Sequence, residues 1–251
     1  MTKSQEILAA FYPEVKVSGY SSVDGTVEFY GKINSILQSS DKVLDFGAGR
    51  AGWFEDDLCN YRRNLRSIRG KIHNLVGCDV DDAILDNNAV DEQVQIRVGA
   101  GLPFPDNAFD LIISDYVFEH VANPEELAAE FYRILKSGGW LCARTPNKYG
   151  YVSLLTRLIK NSHHASLLSK VQPDRKEIDV FPTTFKLNTL KSLAKYFQES
   201  EYENYTYRYE AEPAYFFNNK IIFASMLLVN KLLPSIFKSS LFIFLRKKNT
   251  S

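Results

Sequence analysis

Apolar residues recur along this chain with two periods, and their alternation predicts a layered architecture. From Asp24 to Leu37, Val27, Tyr30, Ile33, Ile36 and Leu37 fall on one face of a helix. Lys42 to Phe46 (KVLDF) reads as a short buried strand, and the glycines after it open a helix through Trp53, Phe54 and Leu58. Further strands are predicted at Asn74 to Asp79 and at Val94 to Val98. Leu102 to Asp106 (LPFPD) must be loop, because its two prolines suit neither a helix interior nor a central strand. A fourth strand follows at Phe109 to Ser114. Asn123-Pro124-Glu125-Glu126 has the makings of a helix start: a capping side chain, a proline at the first position and acids in the first turn. That helix shows Leu127, Phe131, Ile134 and Leu135 on one side, stops at Ser137-Gly138-Gly139, and leads into a fifth strand at Trp140 to Thr145. Strand and helix in this rhythm imply parallel strands with right-handed crossovers, hence a doubly wound α/β sheet.

Past Thr145 the rhythm breaks. Residues 146–185 form a long excursion with a helical piece (YVSLLTRLIK) and the pair His163-His164, and an insertion of that size after a strand end is expected to have a function. A helix at Asn188 to Phe197, a strand at Tyr202 to Tyr209, an apolar helix within 215–233 and a strand at Leu241 to Leu245 complete the pattern. The expectation is one domain over 1–251: an N-terminal helical lid (1–40), a cofactor-binding core (41–145), an acceptor-lid insertion (146–185) and a section completing the sheet (186–251).

Charge changes the picture little. Thirty basic residues balance 30 acidic ones over 251 residues, so no global field draws in nucleic acid or an anionic membrane. The run YRRNLRSIRGK is basic, but Leu65 and Ile68 among its arginines give it the look of an amphipathic helix with a solvated face, and no aromatic stacking tract accompanies it. Cys59, Cys78 and Cys142 are odd in number and lack C-x-x-C spacing, which speaks against a disulfide framework and a zinc site. The first fifteen residues hold a proline and two glutamates where a secretory signal needs an apolar core, so a cytoplasmic location is expected.

The chemistry lies in VLDFGAGRAG, residues 43–52. A glycine-rich turn from strand to helix lets backbone approach a ligand and aims free N–H groups at it. A nucleoside triphosphate is excluded by the lack of Gly-Lys-Ser/Thr. Asp45, two residues before the first glycine, would repel a dinucleotide pyrophosphate at a cost on the order of a few kcal/mol. It would attract a ligand carrying an ammonium and a sulfonium. Asp79, ending the second strand, can accept both hydroxyls of a ribose, which suits S-adenosylmethionine and NAD(P) alike.

VLDFGAGRAG, GCDVDD, LPFPDNAFDLIISDYVFEHV and NPEELAAEFYRILKSGGWLCARTPN together make residues 40–147 resemble a class I S-adenosylmethionine-dependent methyltransferase. The resemblance implies a Rossmann-like seven-stranded sheet whose final strand, here LFIFL, runs antiparallel between the fifth and sixth. It also implies that Asp45, Gly47 and Gly49 line the methionine end, that Asp79 holds the ribose and Val80 packs on the adenine. Gly99 and Ala100 would offer backbone to the adenine edge, and Ser114 would sit under the methionine through its main chain. Many relatives carry an aspartate before LPF for the adenine amino group; Val98-Gly99-Ala100 has none, leaving a backbone carbonyl or Asp106 to serve.

Methyl transfer is an in-line displacement whose main demand is to hold the acceptor atom behind the methyl group with water excluded. An oxygen acceptor benefits from a base, and O-methylation of a small molecule, glycan or lipid precursor is slightly favoured. Candidate catalytic groups are Asp115 and Tyr116, with His163 and His164 on the lid; Glu119 and His120 are nearby, His120 being read as structural. Tyr20 could close over the cofactor. An NAD(P)-dependent reductase and a non-catalytic S-adenosylmethionine-binding protein are the alternatives. The longest charge-free part of the apolar tail, Ile221 to Asn230, is far below the roughly twenty residues a bilayer span needs, which leaves peripheral membrane contact or a homodimer as uses for it.

Overall fold

The computed structural model describes residues 2–151, 153–154, 182–214 and 216–249. Three helices lead in, α1 (Lys3–Phe11), α2 (Val15–Ser18) and α3 (Gly25–Ile36), and Asp24 caps α3 by accepting the N–H groups of Thr26 and Val27. The sheet is then built from β1 (Lys42–Phe46), β2 (Asn74–Asp79), β3 (Glu92–Gln95), β4 (Phe109–Asp115), β5 (Leu135–Pro146), β6 (Tyr202–Asn204), β7 (Tyr207–Tyr209) and β8 (Ser240–Lys247). Helices α4 (Gly52–Asp56), α5 (Asn60–Arg66), α6 (Pro124–Ile134), α7 (Leu190–Tyr196) and α8 (Lys220–Leu232) complete the described elements.

The strand order is β3-β2-β1-β4-β5-β8-β6, with β7 also on β8. Strands β1 to β5 pair in parallel, and β8 enters antiparallel between β5 and the short strands, as the family resemblance implies. Among the described residues there are eight strands rather than seven because the expected strand at Tyr202 to Tyr209 is split. The side chain of Asn204 accepts the N–H of Thr206 at 2.9 Å, turning the chain between β6 and β7.

Three other differences have local causes. The third strand lies at Glu92–Gln95 rather than Val94 to Val98, since its partner β2 ends at Asp79 and the last bond across is from the Ile96 N–H to the Asp79 carbonyl. The helix expected through Leu58 breaks at Asp57, whose carboxylate accepts the Cys59 N–H at 2.9 Å and restarts the chain as α5. Asn123 does not cap α6 with its side chain, which donates instead to Glu126 at 3.0 Å.

Strand alternation sorts the core. Leu44, Ile112, Leu141 and Ile243 face α6 and α7 with Phe131 and Phe197; Val43, Leu111, Cys142 and Phe242 face α3 with Phe29 and Ile33. The same alternation positions the site. Asp45 lies two past Val43, Asp115 two past Ile113 and Arg144 two past Cys142, so all three leave the carboxyl ends of their strands on the α3 face.

Candidate functional site

A cavity of about 1450 Å³ opens at the carboxyl ends of β1, β2 and β4. The loop after β1 forms its floor. Gly47 (φ +80°) and Gly49 (φ +49°) are left-handed, and a Cβ on Gly47 would collide with a methyl of Val117. Glycine is therefore required at 47 by conformation and by space. Asp79 closes this corner, accepting the Gly49 N–H at 2.9 Å and the Asp81 N–H at 3.0 Å. Val80, Gly99 and Ala100 share the wall, Gly99 also left-handed at φ +78°.

The structure thus brings Gly47, Gly49, Asp79, Val80, Gly99, Ala100, Asp115 and Tyr116 to one cavity, and it sets two expected residues back from it. Asp45 sits behind the wall in a recess of about 10 Å³ shared with Tyr30, Trp53 and Arg66. Burial first, and then the negative Asp115, raise its pKa to about 7 against the pull of Arg66. Ser114 is wholly buried, has the parity of Ile112 rather than of Asp115, and its Oγ has no hydrogen-bond partner. Asp106 is excluded as an adenine acceptor: it is exposed, pairs with Arg133 at 2.9 Å and lies off the cavity. Tyr20 also lies off it, stacked on Tyr61 with centroids 5.0 Å apart; Thr2, Lys3 and Ser4 reach the cavity from the N-terminal section instead. His163 and His164 lie outside the described residues.

Asp115 is the centre of a buried ionic cluster that sequence reasoning missed. Arg144 donates to it at 2.5 and 3.0 Å, Arg66 at 3.3 Å and the Tyr30 hydroxyl at 3.1 Å. Burial alone would raise its pKa, but Arg144 and then Arg66 overrule that and hold it below the ordinary carboxylate value. Arg66 also stacks over Trp53 at 4.6 Å, lines the cavity, and keeps a buried Nε without a hydrogen-bond partner. One signal in the sequence pointed here: an arginine inside the apolar strand WLCART needs a buried partner. Arg62 pairs with Asp24 and Asp57 and Arg69 with Asp91, so these two arginines meet carboxylates as Arg66 does, while Arg63 donates to the Asn60 side chain and Lys71 to the Asn64 carbonyl at the surface.

Tyr116 carries the strain of a left-handed residue (φ +58°) and lies beneath the Arg144 guanidinium at 4.8 Å. Burial of its hydroxyl pushes its pKa up. His120, on the cavity wall, holds the carbonyl of Pro182 through Nδ1 at 2.8 Å. A carbonyl can only accept, so Nδ1 carries a proton, and Nε2 lies 3.9 Å from a carboxylate oxygen of Glu119. Glu119 is buried, accepting from Thr145 at 2.8 Å.

A left-handed glycine turn beside a ribose-competent carboxylate, at the carboxyl ends of a doubly wound sheet, defines an adenosine-cofactor domain of the Rossmann-like class. Residues 44–143 match the family described as "Methyltransferase domain". The biotin biosynthesis bifunctional protein BioHC of Teredinibacter turnerae is 34% identical over 133 residues, covering 49% of this chain and 22% of that protein. A Mycolicibacterium smegmatis protein named "Probable S-adenosylmethionine-dependent methyltransferase" is 34% identical over 109 residues, 42% of this chain and 38% of its own length. The chain therefore spans well under half the length of these two relatives. The crystal structure of a SAM-dependent methyltransferase from Archaeoglobus fulgidus superposes with a TM-score of 0.53 at 17% identity, covering 95% of this chain and 99% of that one, which shows the shared fold. Residues 44–143 thus carry a class I S-adenosylmethionine-dependent methyltransferase domain, and S-adenosylmethionine is the cofactor of that domain.

The site fits that cofactor chemically. Asp79, met by backbone N–H groups, keeps acceptor capacity for ribose hydroxyls, and the recessed Asp45 is a carboxylate that a positively charged ligand would favour in its ionised form, whereas Asp115 is already neutralised by Arg144 and Arg66.

Proposed function

We propose that this chain transfers a methyl group from S-adenosylmethionine to an oxygen of a small-molecule, glycan or lipid-precursor acceptor. The observation that carries this reading is the cavity: at about 1450 Å³ it exceeds the range of about 300–1,000 Å³ usual for one small ligand, which leaves room for an acceptor beside the cofactor. When bound, the cofactor supplies a methyl group activated on a sulfonium. Asp79 accepts the ribose hydroxyls, the N–H groups around Gly47 and Gly49 and the main chain near Ser114 hold the methionine end, and Val80, Gly99 and Ala100 border the adenine. Asp45, in its recess behind the wall, supplies a negative charge toward the positive end in its ionised form. The acceptor hydroxyl loses its proton as its oxygen bonds the methyl carbon and the carbon–sulfur bond breaks, leaving a neutral thioether.

Asp115 is a poor base, because two arginines hold it ionised and occupied; it fixes Arg144 and Arg66 instead. Tyr116 serves as a hydrogen-bond donor to the acceptor rather than as a base, since its hydroxyl resists ionisation. Among the described residues His120 fits the base, through Nε2; His163 and His164 remain candidates on the lid. Incubation with methyl-labelled S-adenosylmethionine and cell extract tests the reading. A labelled product with an O-methyl group is expected, and cofactor binding without any turnover would reduce the protein to a binder. His120→Ala should lower kcat by about 10²–10⁴-fold with unchanged S-adenosylhomocysteine affinity.

A further inference from the structure

Among the described residues, helix α8 keeps most of its apolar surface exposed. Of KIIFASMLLVNKL only Phe223 is buried, held by the rings of Phe11 and Phe216 with centroids 5.0 and 4.9 Å away. Ile221, Leu228 and Leu232 follow one line along the helix and are 77%, 60% and 76% exposed, with Ile222 and Val229 beside them. Ile236 and Phe237 extend the patch beyond the helix end. Over residues 213–240 the charges are Lys220, Lys231 and Lys238, all exposed, with no Asp or Glu. Lys220 and Lys231 are three turns apart and so border the same flank of the apolar line.

We propose that this face of α8 docks in the plane of an anionic lipid bilayer. An apolar strip edged by lysines needs a partner that is apolar beneath and negative at its surface, which describes acyl chains under anionic headgroups. A second copy of the chain fits less well: a two-fold interface would place the Lys220 and Lys231 flanks together, and α8 itself carries no acid to neutralise them. At 13 residues α8 lies on a bilayer rather than crossing it, and no helix among the described residues is long and apolar enough to cross a membrane.

The face sits at the rim of the cavity. Phe216, Phe217 and Asn218 line the cavity and run directly into α8, and beyond the helix the Ser239 carbonyl accepts the Asn147 N–H at 2.8 Å, at the carboxyl end of β5. Docking therefore turns the cavity mouth toward lipid. Resting on the methyl-transfer reading above, the acceptor is then a bilayer-resident amphiphile whose tail stays in the membrane while its hydroxyl enters the site.

Sedimentation with vesicles tests the docking face without reference to activity. Wild-type protein should bind phosphatidylglycerol–phosphatidylcholine vesicles at least ten-fold more strongly than phosphatidylcholine alone. Leu228→Asp combined with Leu232→Asp should lower binding at least ten-fold, and Lys231→Gln by about five-fold, roughly the value of one surface lysine. Both substitutions are on the surface, so the unfolding midpoint and S-adenosylhomocysteine affinity should hold. Vesicle binding that survives the double substitution overturns the proposal, as does a wild-type dimer in light scattering that the substitution converts to monomer. Label from S-adenosylmethionine should enter the lipid fraction of membranes. Recovery only in a water-soluble product overturns the acceptor assignment, whereas absence of S-adenosylhomocysteine binding in calorimetry would strike the methyl-transfer reading itself.

Discussion

The ends of β2 and β4 face the same cavity and handle their carboxylates in opposite ways. Asp115 is surrounded by its own counter-charges, two arginines and a tyrosine hydroxyl, while Asp79 meets two backbone N–H groups and no cation. A buried charge whose partners come from the chain is part of the scaffold; one whose partners are incomplete is available to a ligand. Asp45 is the extreme of the second kind, with no hydrogen bond or ion pair among the described residues and a pKa raised to about 7.

Breaking the scaffold side should have the largest effect. Arg144→Ala strands Asp115 among buried groups and should cost about 3–5 kcal/mol of folding stability, read from the midpoint of urea unfolding. A loss below 1 kcal/mol would mean that the cluster is not buried as described. On the ligand side, Asp79→Ala should weaken S-adenosylhomocysteine binding by about 1–3 kcal/mol in calorimetry and cost less stability than Arg144→Ala.

Asp45 sharpens the contrast through pH. Its raised pKa means the folded, ligand-free protein holds a proton that the unfolded chain releases at lower pH, so its contribution to stability is full below pH 4 and is lost as pH rises through about 7. A positively charged ligand reverses the preference and favours the carboxylate. Affinity for S-adenosylhomocysteine, whose amino group is cationic, should therefore fall below pH 7, by at most about ten-fold per pH unit, with proton release on binding. Asp45→Asn should flatten that profile; an unchanged slope would place the titration on another group.

Much of this contrast could be read from the chain, and the reason why the rest could not is physical. Strands β1, β2, β4 and β5 are buried on both faces, so they appear as continuous apolar runs between turn residues, and the glycines and Asp79 follow from where those runs stop. The polar edge strand β3 has no such signature and was displaced. The Asp115 cluster joins residues 29, 49 and 85 positions apart, brought together by strand register and by the docking of α3 and α5, which no local pattern encodes. The run of arginines misled for the same reason, since solvation and ion pairing look alike until the acids of other elements are placed. Asp45 stands at the end of β1 as the strand's parity requires, but its recess beside Trp53, off the main cavity, depends on side-chain packing that no local pattern encodes.

The place of β8 bears on how the protein is made. Synthesis is directional, and the inner edge that β5 offers to β8 (Thr145 to Trp140 opposite Leu241 to Arg246) is complete long before its partner leaves the ribosome. Roughly a hundred residues separate the two, which at about 5–20 residues per second leaves that edge open for on the order of 5–20 s. During that interval the nascent chain presents Leu141, Cys142 and Ala143, all wholly buried in the finished fold, on an unpaired strand. That edge needs shielding while the chain is being made, and slower translation would lengthen its exposure instead of relieving it.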